Sequence, residues 1–264
     1  MIKIKELLDY YVDKYNNPSF ILNDPISIPH KFSNKQDREI MGFFAAILAW
    51  GQRKTIISKC LDLIDRFGDE PYRFVMEHSE LDLKSLIGFK HRTFNDTDLL
   101  YFVDFFKRFY KKHNSLEDAF LEEGRFISIE RSLINFEIHF FDHVNAPLRT
   151  KKHVATPARN SACKRLNMFL KWMVRNDDNG VDFGMWKRIP QSELICPIDV
   201  HVDRTARKIG LMSRKQTDWK TALELTHNLK RFDPLDPVKY DFALFGLSIN
   251  EKIIDVPNIS NRTL

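Results

Sequence analysis

Two segments bring together residue types that can make and break covalent bonds. Lys164 stands in the run Ser161-Ala162-Cys163-Lys164-Arg165. Asp199 follows downstream in Cys196-Pro197-Ile198-Asp199-Val200-His201-Val202-Asp203-Arg204. A lysine amine that sheds its proton is a Schiff-base nucleophile, and a carboxylate brought beside it can stabilise a developing cation or move a proton. Each residue also has a plainer reading. Asp199 is a strong helix N-cap, a role worth about 1 kcal/mol, and Lys164 is a surface lysine touching phosphate. The triplet Asp199-x-His201-x-Asp203 offers a rival chemistry, a metal-dependent phosphohydrolase. On a strand its three side chains would share one face, whereas on a helix His201 points away from Asp199. The run Asp203-Arg204-Thr205-Ala206-Arg207-Lys208 reads as helix, with Asp203 and Arg207 spaced for an i,i+4 ion pair. No metal site is therefore expected.

The elements that must position these residues are helices. Leu166, Phe169, Leu170 and Met173 repeat on one face of a stretch covering 162–176. Lys164, Lys171 and Arg175 fall on the opposite face, which predicts an outward basic ridge. The start of such a helix carries free N–H groups and the positive end of the dipole, a ready phosphate site. Repulsion from that end, and from Arg159 and Arg165, would favour a neutral amine at Lys164. Pro197 turns the chain so that Asp199 opens a helix over 199–209. The nearly all-apolar stretch 36–50 predicts a buried central helix, ended by Gly51 and followed by another over 53–67. Further helical patterns cover 2–16, 70–78, 80–87, a stretch capped at Asn95 and running to Lys112, a short one from Ser115, 128–143, 217–230 and 236–248. The tail from Asn250 is polar and expected to be loosely held.

Composition agrees with an all-α chain and one large unit. The 264 residues include 22 Phe and only 9 Gly, enough apolar mass for a real core and few turn residues. No apolar run is long enough for a membrane span, and the start, Met1 to Leu8, lacks the pattern of a signal peptide. The three cysteines, Cys60, Cys163 and Cys196, are scattered, so neither a thiolate zinc site nor a four-cysteine iron–sulfur cluster is expected. A reduced, cytoplasmic monomer without cofactor is the simplest expectation. Net charge is +5, but its distribution says more: from His143 to Asn176 there is no Asp or Glu, against Arg149, Lys151, Lys152, Arg159, Lys164, Arg165, Lys171 and Arg175. A localised basic block on a near-neutral body is the footprint expected for a nucleic-acid backbone.

Pro197-Ile198-Asp199-Val200-His201-Val202-Asp203-Arg204 resembles the Val-Asp-Thr-His-Val-x-Arg signature of helix-hairpin-helix base-excision DNA glycosylases. In that superfamily the Asp is catalytic and opens a helix, and a catalytic Lys starts the second helix of an upstream hairpin, the place Lys164 takes here. The layout is similar to that of archaeal oxidised-guanine glycosylases, whose Lys is followed seven residues later by a second, as Lys171 follows Lys164. Phe43 to Gln52 resembles the buried helix that ends in a gap-filling Gln, and Val238 to Ser248 the closing helix with its Leu-x-x-x-Gly pattern. The likeness spans roughly 36–248. The two motifs together resemble a divergent bacterial branch of the superfamily. One departure is the hairpin Leu-Pro-Gly-x-Gly-x-Lys: Asn160 and Ala162 stand at the glycine positions, and of these Asn tolerates a left-handed backbone.

The resemblance implies two helical lobes with a cleft between them, lobe A over 35–176 and lobe B over 1–34 plus 195–264. It implies a glycosylase with abasic-site lyase activity on double-stranded DNA carrying a damaged base. Lys164 would be the nucleophile and Asp199 the stabilising carboxylate. Arg149, Lys151, Lys152, Arg159, Arg165, Lys171 and Arg175 would hold DNA. Gln52, with Trp50, would fill the vacated stack. His91, Arg92, Trp172, Trp186 and His201 would line the base pocket, with Phe89 and Phe94 near them. The alternatives are a non-catalytic DNA-binding protein on the same fold, and the metal-dependent phosphohydrolase of Asp199, His201 and Asp203.

Overall fold

The structure, a computed structural model, describes residues 2–249. They form α1 (Ile2–Tyr15), α2 (Lys35–Leu48), α3 (Arg53–Arg66), α4 (Pro71–Glu77), a hairpin of β1 (Lys90–His91) and β2 (Phe94–Asn95), then α5 (Asp96–Tyr110), α6 (Ile129–Phe141), α7 (Lys164–Val174), α8 (Val200–Lys208), α9 (Trp219–Lys230) and α10 (Tyr240–Ile249). Short 3-10 turns join them, including Asp82–Leu86 and Leu116–Phe120, where the sequence suggested short helices. Side-chain caps set many starts. Asn34 accepts from the Gln36 and Asp37 N–H groups, Ser128 from Arg131, and Asp218 from Thr221. At α5, Asn95 and Asp98 cap each other reciprocally. The weak strand signals hid the 90–95 hairpin, whose turn places Arg92 in the left-handed region. Among the described residues no helix is long and apolar enough to cross a membrane.

Helix α2 is the axis. Every residue from Glu39 to Leu48 is buried, and α3, α4 and α7 pack around it. The phenylalanines explain themselves here: Phe43 meets Phe169 of α7 edge-on at 5.3 Å, and Phe105 meets Phe140 at 4.5 Å between α5 and α6. Such ring pairs add about 0.5–1.5 kcal/mol beyond their buried area. Gly42 lets α7 come close, since a Cβ there would meet Met173 Cε at 2.7 Å. Arg165 then donates to the Ile47 carbonyl at 2.7 Å, satisfying the end of α2 with the start of α7. These contacts fix where Lys164 sits. The other terminal group is α10 packed against both α1 and α8, and one continuous core joins it to the α2–α7 group.

Candidate active site

A cleft of about 540 Å³ opens between these helices, lined from the segment before α2, the α2–α3 turn, α7, the start of α8 and α10. Its size suits a small-molecule or single-nucleotide pocket. Lys164 and Asp199 both face it. Lys164 is the first residue of α7, after two left-handed residues, Asn160 (φ 56°) and Cys163 (φ 50°). Asn160 takes the conformation expected of it, but the second left-handed position is Cys163 rather than Ala162. The turn is pinned: Asn167 Nδ2 donates to the Ala162 carbonyl at 3.1 Å, and the Trp219 N–H donates to the Asn160 carbonyl at 3.4 Å. The Lys164 amine is half-buried and, among the described residues, has neither an ion pair nor a hydrogen bond.

Asp199 caps α8 with one oxygen only. Its Oδ1 accepts from the His201 and Val202 N–H groups, both at 2.9 Å. Among the described residues nothing bonds Oδ2, so the cap fixes the carboxylate and leaves one oxygen for the cleft. The preceding chain is anchored by the Cys196 N–H on Thr226 Oγ1 at 3.0 Å. Trp172, though buried, forms part of the cleft wall, while Gln52 and His201 are exposed at its rim.

Two further carboxylates, which belong to neither sequence motif, line the cleft. Asp24 caps the 3-10 turn Pro25–Ser27 through the Ile26 N–H at 3.1 Å and pairs with Arg53 at 3.4 Å. Burial pushes its carboxyl up, against the pull of Arg53. Asp241 lies on α10, 3.4 Å from Lys171. Burial raises its carboxyl to about 6, helped by Asp199 and Asp182 and opposed by Lys171 and Lys164. A signal for Asp241 exists in the sequence: it is the lone charge in Tyr240-Asp241-Phe242-Ala243-Leu244-Phe245-Gly246-Leu247-Ser248-Ile249.

Several expected site residues take other places or other partners. Lys171 and Arg175 form no outward ridge. Lys171 reaches the cleft wall, but buried between Asp182 (3.5 Å) and Asp241 and 3.8 Å over the Phe242 ring. Arg175 is 1 % exposed and pairs with Asp177, Asp182 and Asp236. Trp186 is core, donating to Glu39 at 2.7 Å alongside Tyr110 and Ser115. His91 is buried with its Nε2 at the Trp50 carbonyl (3.2 Å), and Arg92 stacks over Trp50 at 5.0 Å; neither lines the cleft, nor do Phe89 and Phe94. Arg149 is spent on Asp98, and Arg159 on Glu137 and the Val154 carbonyl. Lys151 and Lys152 are exposed.

Across the cleft from Lys164 stand the carboxylates of Asp24 and Asp241, together with the cations Arg53 and Lys171. The triplet Asp199, His201 and Asp203 lies at the start of α8, as its helical pattern predicts, and its side chains part. Asp203 is held by Arg207 at 2.9 Å and Thr217 at 2.9 Å, and the helix turns His201 out to solvent. Among the described residues no group of three His, Cys, Asp or Glu side chains is placed to hold a metal ion.

The chain belongs to the family described as protein of unknown function (DUF2400), whose model matches residues 24–250. Neither a curated protein nor a solved structure matches it.

Proposed function

We propose that this protein is a DNA base-excision glycosylase with associated abasic-site lyase activity, acting on duplex DNA that carries a damaged base. One observation carries the reading: the Lys164 amine and Asp199 Oδ2, both without a partner among the described residues, belong to side chains that line the same nucleotide-sized cleft. The target nucleotide leaves the duplex at a cost of a few kcal/mol, least for a damaged or mispaired base. Trp172, Phe20 and Phe245 give its ring apolar walls. Gln52, exposed at the mouth before α3, enters the gap in the stack. Asp199 Oδ2 stabilises the positive charge that develops on the sugar as the glycosidic bond lengthens. Lys164 attacks C1′, displaces the base and holds the sugar as an imine, from which the strand is cut. The exposed Lys151 and Lys152 contact backbone phosphates.

Borohydride reduces the imine to a stable covalent adduct, so trapping on lesion-bearing and abasic duplexes tests the proposal directly. Wild type is expected to give an adduct and Lys164→Ala none. An undiminished adduct from Lys164→Ala would overturn the assignment of the nucleophile. No adduct from wild type on any duplex, with binding intact, would leave a DNA-binding protein without this chemistry.

A further inference from the structure

We propose that Asp241 is the proton acceptor for Lys164: it takes the ammonium proton before the amine attacks and returns it to the departing base. The inference rests on the glycosylase reading and adds a group that reading does not use. Lys164 must lose a proton to become a nucleophile, yet among the described residues no acceptor bonds it directly, so the transfer runs across the cleft through a water. The other cleft carboxylates are committed. Asp24 caps a turn and pairs with Arg53. Asp199 spends one oxygen on two backbone N–H groups and faces the sugar with the other. His201 stands exposed at the rim.

Asp241 differs because of the charge count behind it. The buried cations Lys171 and Arg175 are shared among Asp177, Asp182, Asp236 and Asp241. Four carboxylates against two cations leave negative charge in excess, and taking up a proton relieves it. Of the four, only Asp241 lines the cleft, where its side chain keeps 22 % exposure. The groups that face it are Lys171 and Lys164 from α7, Asp182 from the loop after α7, and Asp199 and the Cys196 thiol from the approach to α8. Burial, helped by Asp199 and Asp182 and opposed by Lys171 and Lys164, raises its carboxyl to about 6, close to the working pH that suits a general base.

The protons and electron pairs balance. The proton moves from Lys164 Nζ to Asp241. The freed lone pair forms the bond to C1′ while the glycosidic bond breaks and its electron pair leaves on the base. The base then takes the proton from Asp241, restoring the carboxylate. One remaining N–H proton passes to O4′ as the C1′–O4′ bond opens, giving the protonated imine.

Single-turnover trapping on a duplex with a preformed abasic site tests this without requiring base release. Asp241→Asn is expected to form adduct about 10²-fold more slowly than wild type near pH 6.5, with the gap closing towards about pH 9 as hydroxide replaces the lost acceptor. A gap that stays constant across pH marks a structural role, and no gap marks none; either overturns the proposal while leaving Lys164 as nucleophile. No adduct from wild type overturns both. Should Asp241→Asn not fold, Asp241→Glu carries the test. It keeps an acceptor, so the acid limb of the rate profile should persist with its midpoint moved, and an unmoved midpoint overturns the proposal.

Discussion

Asp98 and Asp241 are both carboxylates placed beside cations, and the protein treats them oppositely. Asp98 sits at the start of α5 with its side chain fully buried. It accepts from the Asn95 N–H at 3.0 Å and Thr150 Oγ1 at 2.7 Å, with His153 Nε2 at 3.3 Å and the Arg149 guanidinium closing the corner. Burial works against its charge, but His153, the Asn95 N–H and Thr150 outweigh it and hold the carboxyl at about 2. At Asp241 burial, with Asp199 and Asp182, outweighs the cations Lys171 and Lys164, and the carboxyl is pushed up to about 6. The first corner is satisfied and locks the 90–95 hairpin to the 148–153 segment. The second is left in electrostatic conflict, and conflict retained in a cleft is where proton chemistry is found.

Two substitutions should break the comparison most sharply. Asp98→Ala strands Arg149 and the buried His153, and is expected to cost about 3–5 kcal/mol in urea unfolding. Lys164→Ala should stay within about 0.5 kcal/mol of wild type, because its amine has no partner among the described residues to lose, yet should abolish the borohydride adduct. If Lys164→Ala destabilised as Asp98→Ala does, the cleft would be structural after all. Asp199 divides the two roles within one residue. Asparagine caps as well as aspartate, so Asp199→Asn should keep stability within about 0.5 kcal/mol, whereas Asp199→Ala loses about 1 kcal/mol. Both should lose about 10²-fold or more in base release. Equal activity of Asp199→Asn and wild type would reduce Asp199 to a cap.

Acid titration separates the two carboxylates next. Asp98 has a folded value below its unfolded one of about 4. Its contribution is therefore full above about pH 4 and is lost as pH falls through about 2, amounting to about 2 kcal/mol. Asp241 has the opposite sign: its folded value is raised, so its contribution is complete below about pH 4 and lost as pH rises through about 6. Unfolding of Asp98→Asn and Asp241→Asn across this range should show differences from wild type with opposite slopes. Parallel slopes would mean that the two sites are electrostatically alike.

What the sequence disclosed follows from what a local pattern can encode. The apolar run of α2, the cap at Asn95, and the cap role of Asp199 depend on neighbours within a few residues, and they are where the pattern puts them. The reversal at Lys171 and Arg175 does not. Their spacing along α7 matches a solvent-facing ridge, and only the fold brings Asp182, Asp236 and Asp241 over them. Periodicity counts charges on a face but cannot say which distant carboxylate covers that face. Asp241 escaped for the converse reason. A single acid in an apolar helix is chemically loud, yet it has no motif spacing to Lys164 or Asp199.

The smallest effect concerns the basic block itself. Of its eight cations, Lys171 and Arg175 are buried in ion pairs, Arg149 and Arg159 are paired with Asp98 and Glu137, Arg165 is bound to a carbonyl, and Lys164 faces the cleft. Lys151 and Lys152 are left exposed, with Lys151 only resting 5.8 Å above the Phe141 ring. Each phosphate contact releases a counterion and steepens the fall of log affinity with log salt by about 0.9. Replacing both residues with alanine should therefore flatten the slope for an undamaged duplex by roughly 2, weaken binding evenly across sequences, and leave unfolding within about 0.5 kcal/mol of wild type. Lys171→Met should leave that slope unchanged, since its ammonium never reaches a phosphate. Loss of slope in Lys171→Met, with none in the Lys151/Lys152 pair, would place the DNA on a different face from the one argued above.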